Sequence, residues 1–229
     1  MRMRFGIALL VALFVVASGA WAGTVAISIG NASFESCDQY SSPTVWVNWN
    51  AGCLANTSLF NQAFPNGTEV LWDNYYPSTN QDGFAYQAVT TIASNTTYTL
   101  TIDVGMQKSG DTSGAIVELR AGTATTGNTP GTGGLTGTTL LSELASTGSN
   151  GPAAGYFSVW TLTWDSASSP QYNGQSLEIY LSSSTIQTDY DSVGLTATAD
   201  APVANPEPAM FVLVGVGLLG LVARRRFAK

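Results

Sequence analysis

The chain has 229 residues, with fifteen acids against eight basic residues, no histidine and a formal net charge of −7. Without histidine it lacks the usual proton carrier at neutral pH, so Ser-His-Asp and Cys-His mechanisms are excluded. The acidic balance disfavours nucleic acid and anionic lipid as partners.

The first element is an export signal. Met-Arg-Met-Arg precedes an apolar run over residues 5–17, and Ala20-Trp21-Ala22 gives an A-x-A cleavage site before Gly23. That run falls short of the roughly twenty residues a membrane-spanning helix needs, so residues 1–22 read as a cleaved signal peptide.

Beyond Gly23 the apolar residues alternate with Thr and Ser instead of recurring at three and four, which is the period of strands. Residues 24–35 alternate through Val25, Ile27 and Ile29, break at Gly30-Asn31 and resume at Phe34. Cys37 and Cys53 are the only cysteines and would face an oxidising compartment, which predicts a disulfide. It closes a loop of about 15 residues and contributes about 3 kcal/mol in the chain-entropy model. Trp72-Asp73-Asn74-Tyr75-Tyr76 mixes flat rings with amide and carboxylate groups in an expected loop. Sugar rings stack their C–H faces on such rings and bond their hydroxyls to such polar groups, so this is the predicted glycan site. The alternative is a loop pinned to the body by aromatic packing.

Residues 84–92 and 97–106 form two further predicted strands, and Asn95-Thr96 between them predicts a hairpin. Residues 115–121 continue the pattern. The stretch 122–155 is rich in Gly, Thr, Ser and Pro, with one short strand or helical turn expected over 138–145. In residues 156–164, Trp160 and Trp164 share parity with Leu162 and are expected in the core. Residues 176–183 and 190–198 close the body. Eight to ten short strands without an amphipathic helix predict an all-β fold, an antiparallel jelly-roll β-sandwich over residues 23–200.

A short linker, 201–205, leads to a tail over 206–229: Pro206-Glu207-Pro208, an apolar run over 209–223 and Arg224-Arg225-Arg226. At 1.5 Å per residue the run covers about 22 Å of a roughly 30 Å hydrocarbon layer, so a single C-terminal transmembrane helix is expected, helped by flanking residues. The arginines would stay cytoplasmic and leave the body outside. Six of the eight basic residues lie in the two terminal signals, so the body carries fourteen acids against Lys108 and Arg120, a net charge of −12.

The order Pro-Glu-Pro, short apolar helix, arginine cluster resembles the PEP-CTERM sorting signal. That resemblance implies an exosortase as processing partner, transient anchoring in the inner membrane and delivery to the cell surface or extracellular matrix of an exopolysaccharide-producing bacterium. The body resembles galactose-binding-like jelly rolls of carbohydrate-binding modules, through Asn31-Ala32-Ser33-Phe34-Glu35, residues 97–104, residues 174–179 and Tyr190-Asp191-Ser192-Val193-Gly194-Leu195. It implies one structural Ca2+ joining the first and last strands at Glu35 and Asp191, with Ser192 standing where the pattern often has a second acid. Inward carboxylates here have few cations to neutralise them, which independently favours calcium.

Catalytic residues are not expected. Lys108 reads as an exposed turn, and Glu69, Asp73, Glu118, Glu143 and Glu178 are scattered, with Glu118 and Glu178 on solvent-facing strand positions. The resulting expectation is a non-catalytic, surface- or matrix-associated protein that binds polysaccharide in a biofilm. The alternatives are a purely structural matrix or adhesion protein and, through a carboxylate pair, a glycoside hydrolase.

Overall fold

The computed structural model describes residues 23–36, 45–49, 51–74, 83–109, 114–122, 138–144, 151–184 and 187–201. Alternation becomes eleven strands: β1 (Thr24–Ile27), β2 (Val47–Trp49), β3 (Ala51–Leu54), β4 (Val70–Asp73), β5 (Gly83–Thr91), β6 (Thr96–Gly105), β7 (Ala115–Gly122), β8 (Thr138–Leu144), β9 (Phe157–Asp165), β10 (Ser176–Ser183) and β11 (Thr188–Ala199). The helices among the described residues are three single turns of 3-10 type.

Every pairing is antiparallel. One sheet runs β3-β4-β11-β6-β9, with β1 also on β11; the other runs β2-β5-β10-β7-β8. Strand β11 is long enough to hold β4 along Thr188–Tyr190 and β1 along Leu195–Thr198 of the same edge, with β6 on its other side. The all-β antiparallel sandwich is as expected, and Gly23–Asp200 forms one compact unit.

The core is the sum of the inward parities. Strand β6 buries Tyr98, Leu100, Ile102 and Val104 and leaves Thr97, Thr99 and Thr101 half-exposed; β7 buries Ala115, Val117, Leu119 and Ala121; β10 contributes Leu177, Ile179 and Leu181. Trp160 and Trp164 join this core from β9, with Trp164 stacked on Tyr98 at 5.8 Å. Tyr190 crosses it. Its ring is fully buried, and its hydroxyl bonds to the Ser182 carbonyl and accepts from the Ile116 N–H at 3.2 Å, tying the first sheet to two strands of the second.

The expected hairpin between β5 and β6 is not formed: β5 pairs with β10 and β2, and β6 with β11 and β9. Both strands bury an apolar face in the same core, so placing them in opposite sheets satisfies both. The chain crosses at Asn95, whose backbone adopts φ +48, and the crossing is fixed by the Ala93 N–H donating to the Tyr98 hydroxyl at 2.8 Å.

A second apolar layer lies outside the first sheet. Leu54, Phe60, Phe64 and Val70 pack with Leu59, Trp72 and Phe157, so residues 55–69 roof the outward face of β3, β4 and the start of β11. Gly105 opposes Phe157 across β6 and β9, and any Cβ there would overlap the Phe157 ring.

Candidate functional site

The outward face of the second sheet is built by three strands in register. Across it Tyr180 of β10 lies between Tyr86 of β5 and Glu118 of β7, Glu178 between Ala88 and Arg120, and Ser182 between Phe84 and Ile116. Because side chains alternate, sending Leu177, Ile179 and Leu181 into the core obliges Glu178, Tyr180 and Ser182 to face the other way. Phe84 stacks on Tyr180 at 6.0 Å with 20° between the planes, and on Tyr86 at 6.1 Å with 29°. The Arg120 guanidinium lies 3.7 Å from the Tyr180 ring centroid, and its Nε donates to Glu118 Oε2.

This face is not the solvent-facing surface expected for Glu178. Its side chain is 0 % exposed, and neither carboxyl oxygen has a hydrogen-bond partner among the described residues. On the same face Phe84, Tyr86 and Tyr180 form an aromatic cluster, and the Arg120 guanidinium is held over Tyr180 by a cation–π contact. Burial pushes the Glu178 carboxyl above the usual carboxylate range, with Arg120 pulling partly the other way. Burial and the Glu178 charge together raise the Tyr86 phenol. The result is a carboxylic acid biased toward its protonated form on a face that carries aromatic rings. Glu118, by contrast, is committed to Arg120 and to the Thr139 hydroxyl.

The residues of the predicted glycan site separate. Val70–Asp73 is a strand, not a loop, so alternation turns Trp72 and Asn74 to one side and Asp73 to the other. Asp73 points inward and is fully buried, away from Trp72 and Asn74; burial first, and then the Asp73 charge, raises the Tyr190 phenol. Trp72 and Asn74 line a cleft of about 260 Å³ with Leu54, Leu59, Gln107 and Gln187. Beneath the two glutamines lies Asp189, wholly buried, its carboxyl pushed up to about 7 by burial against the opposing hydrogen bonds of Gln187 and Gln107. Tyr75 and Tyr76 lie outside the described residues.

Glu35 and Asp191 do meet one loop. Glu35 Oε1 accepts from the N–H groups of Thr68 and Glu69 at 2.9 and 2.8 Å, and Asp191 accepts from those of Asn66 and Ser192 at 2.7 and 2.6 Å. Gly67 closes the loop with φ +70, its missing side chain leaving room for the Glu35 carboxyl. Burial, opposed by those N–H donors and reinforced by Asp103 and Glu35, pushes Asp191 up to about 7. Each carboxylate is thus met by backbone donors, and among the described residues no group of three or more His, Cys, Asp or Glu side chains is placed to hold a metal ion.

Cys53 is buried, while Cys37 lies outside the described residues. So do the signal peptide and the whole sorting tail, including Pro206, Glu207, Pro208, Arg224, Arg225, Arg226 and the expected transmembrane helix; among the described residues no helix is long and apolar enough to cross a membrane. Of the scattered acids, Glu69 sits beside Glu35, and the side chain of Glu143 lies outside the described residues. Sequence reasoning missed Phe84, Tyr180 and Arg120. The available signal was parity: Phe84 and Tyr86 share one face of a predicted strand, as do Glu178 and Tyr180 of another.

These features define a class: a double-sheet antiparallel β-sandwich bearing an aromatic, acid-containing outer face. The chain belongs to the HpiC1-like family, whose model, described as HpiC1 cyclase, matches residues 25–196. A PEP-CTERM protein-sorting motif matches residues 206–226, which makes this an exported protein sorted to the cell envelope by an exosortase.

Among solved structures, a cyclase from Fischerella sp. TAU is similar at 22% identity and TM-score 0.62, over 79% of this chain and 100% of that one. A Stig cyclase from the same organism, in complex with (3Z)-3-(1-methyl-2-pyrrolidinylidene)-3H-indole, is similar at 22% identity and TM-score 0.61, over 78% and 100%. These likenesses establish the fold. A family 16 carbohydrate-binding module resembles the chain only at TM-score 0.40 and 14% identity, over 66% and 89%, and bears on no ligand. No curated protein matches.

Proposed function

We propose that this envelope-sorted protein binds a flat, ring-bearing organic molecule against Phe84, Tyr86 and Tyr180, and that Glu178 protonates it in an acid-assisted ring-forming isomerisation. One observation carries the reading: a fully buried carboxyl with no hydrogen-bond partner among the described residues, set in an aromatic wall. A carboxyl placed so costs stability unless it is kept neutral, and neutrality is what a general acid needs. The family's description as a cyclase supports the same chemistry.

The step balances within the site. The Glu178 proton passes to a substrate double bond, the new carboxylate lies beside Arg120, and the cation left on the substrate faces the electron-rich rings. Ring closure consumes a second double bond, and loss of a proton back to Glu178 restores the acid. No metal enters. A calcium at Glu35 and Asp191 would brace the loop over residues 66–69 on the other sheet, and the Cys37–Cys53 disulfide would tie down the segment before β2.

The processed protein, incubated with alkenyl-substituted indoles in D2O, is expected to yield cyclised isomers carrying deuterium. Glu178→Gln is expected to retain binding, seen by tryptophan fluorescence, and to lose the product. Binding without any isomer, unchanged by Glu178→Gln, overturns the catalytic reading and leaves a non-catalytic module.

A further inference from the structure

We propose that the cleft over β4, on the sheet opposite Glu178, is a second binding site that takes one neutral sugar ring of an extracellular polysaccharide. The inference stands apart from the cyclase reading, because no residue is shared between the two places.

At about 260 Å³ the cleft is smaller than the roughly 300–1,000 Å³ of sites for drug-sized ligands, so it suits a single ring with its neighbours projecting outward. Its lining alternates in chemistry. Leu54, Leu59 and Trp72 present apolar surface, and Asn74, Gln107 and Gln187 present amides; among the described residues no charged side chain lines it. An ionic ligand would find no counter-charge among these six residues, and the body's net charge of −12 repels polyanions. A sugar ring offers the matching surface, an apolar C–H face for the indole and hydroxyls that both donate and accept for the amides.

Two details indicate that these groups are set for a ligand. The Trp72 Nε1 donor is buried and has no hydrogen-bond partner among the described residues, a cost that a ligand oxygen would remove. The Gln187 Nε2 donates to Asp189 Oδ1 at 3.0 Å, which fixes that amide and leaves its carbonyl oxygen as an acceptor. Asp189 acts here as a positioning residue.

The test is retention of the full processed protein in native gels cast with neutral polysaccharides, α- and β-glucans, galactans and mannans, with an anionic polymer beside them. At least one neutral polymer is expected to retard the wild type, and Trp72→Ala and Gln187→Ala each to weaken its apparent affinity about tenfold or more. Because Trp72 also packs under residues 55–69, Trp72→Phe is run in parallel; it should keep the fold by circular dichroism and part of the affinity. Glu178→Gln should bind the polymers as wild type does, which separates this site from the proposed catalytic one. No retardation by any neutral polymer, or equal retardation of wild type and Gln187→Ala, overturns the proposal, as does binding confined to the anionic polymer.

Discussion

The two outer faces of the sandwich carry buried carboxylates that are treated in opposite ways. On the first sheet, Asp191 lies under residues 55–69 and its oxygens receive N–H groups from Asn66 and Ser192. On the second, Glu178 is equally out of water, but its oxygens receive no hydrogen bond among the described residues, and its neighbours are rings and one guanidinium. Both acids sit at outward strand positions. The difference is what meets them: backbone donors satisfy the acid of the first face, whereas the acid of the second lies on a face of rings and one guanidinium with no such donors among the described residues.

The largest expected effect breaks that contrast on the second face. Glu178→Gln should lower product formation by about 100-fold or more, the range of a lost general acid. Since burial raises the Glu178 pKa, wild-type turnover should be highest in acid and fall as pH rises through that raised value; a flat pH–rate profile would argue against this role.

Breaking the first face should cost stability instead. Gly105→Ala drives a methyl into the Phe157 ring and is expected to destabilise the fold by about 1–3 kcal/mol, read as a lowered urea midpoint with turnover per folded molecule unchanged. Glu35→Ala should cost about 1 kcal/mol and speed hydrogen exchange at the Thr68 and Glu69 amides, which lose their acceptor.

A pH titration of stability sharpens the comparison further. Asp189 and Asp191 are raised to about 7 from 3.8, so between those values the folded chain binds more protons than the unfolded one. Their contribution is therefore complete below about pH 4 and lost as pH rises through about 7. In buffer containing a chelator, Tm should be lower at pH 8 than at pH 5, and Asp189→Asn should narrow that gap by the smallest margin of these tests. A higher Tm at pH 8 would contradict the sign.

Much of the architecture was legible because strand alternation is local. Thr and Ser interleaved with Tyr98, Leu100, Ile102 and Val104 announce one buried and one exposed face whatever the partner strand, and the parity of Trp160 and Trp164 placed them in the core. Pairing was not legible at the same level. Asn95-Thr96 suits a turn, but a turn does not state whether the next strand returns beside its predecessor or crosses to the opposite sheet, and here it crosses.

The sites divide along the same line. The sequence alone established that the chain folds as an antiparallel β-sandwich and, through the resemblance of its tail to the PEP-CTERM signal, that it is exported, since apolar runs, charge clusters and side-chain period are properties of the chain itself. Only the tertiary structure decided that Asp73 turns inward from Trp72 and Asn74, that one loop caps both Glu35 and Asp191, and that Phe84, Tyr86, Arg120 and Tyr180 gather on the face that carries Glu178. Those groupings come from strands far apart in sequence, and the fate of an outward carboxylate depends on what the fold lays over it, which no local period encodes.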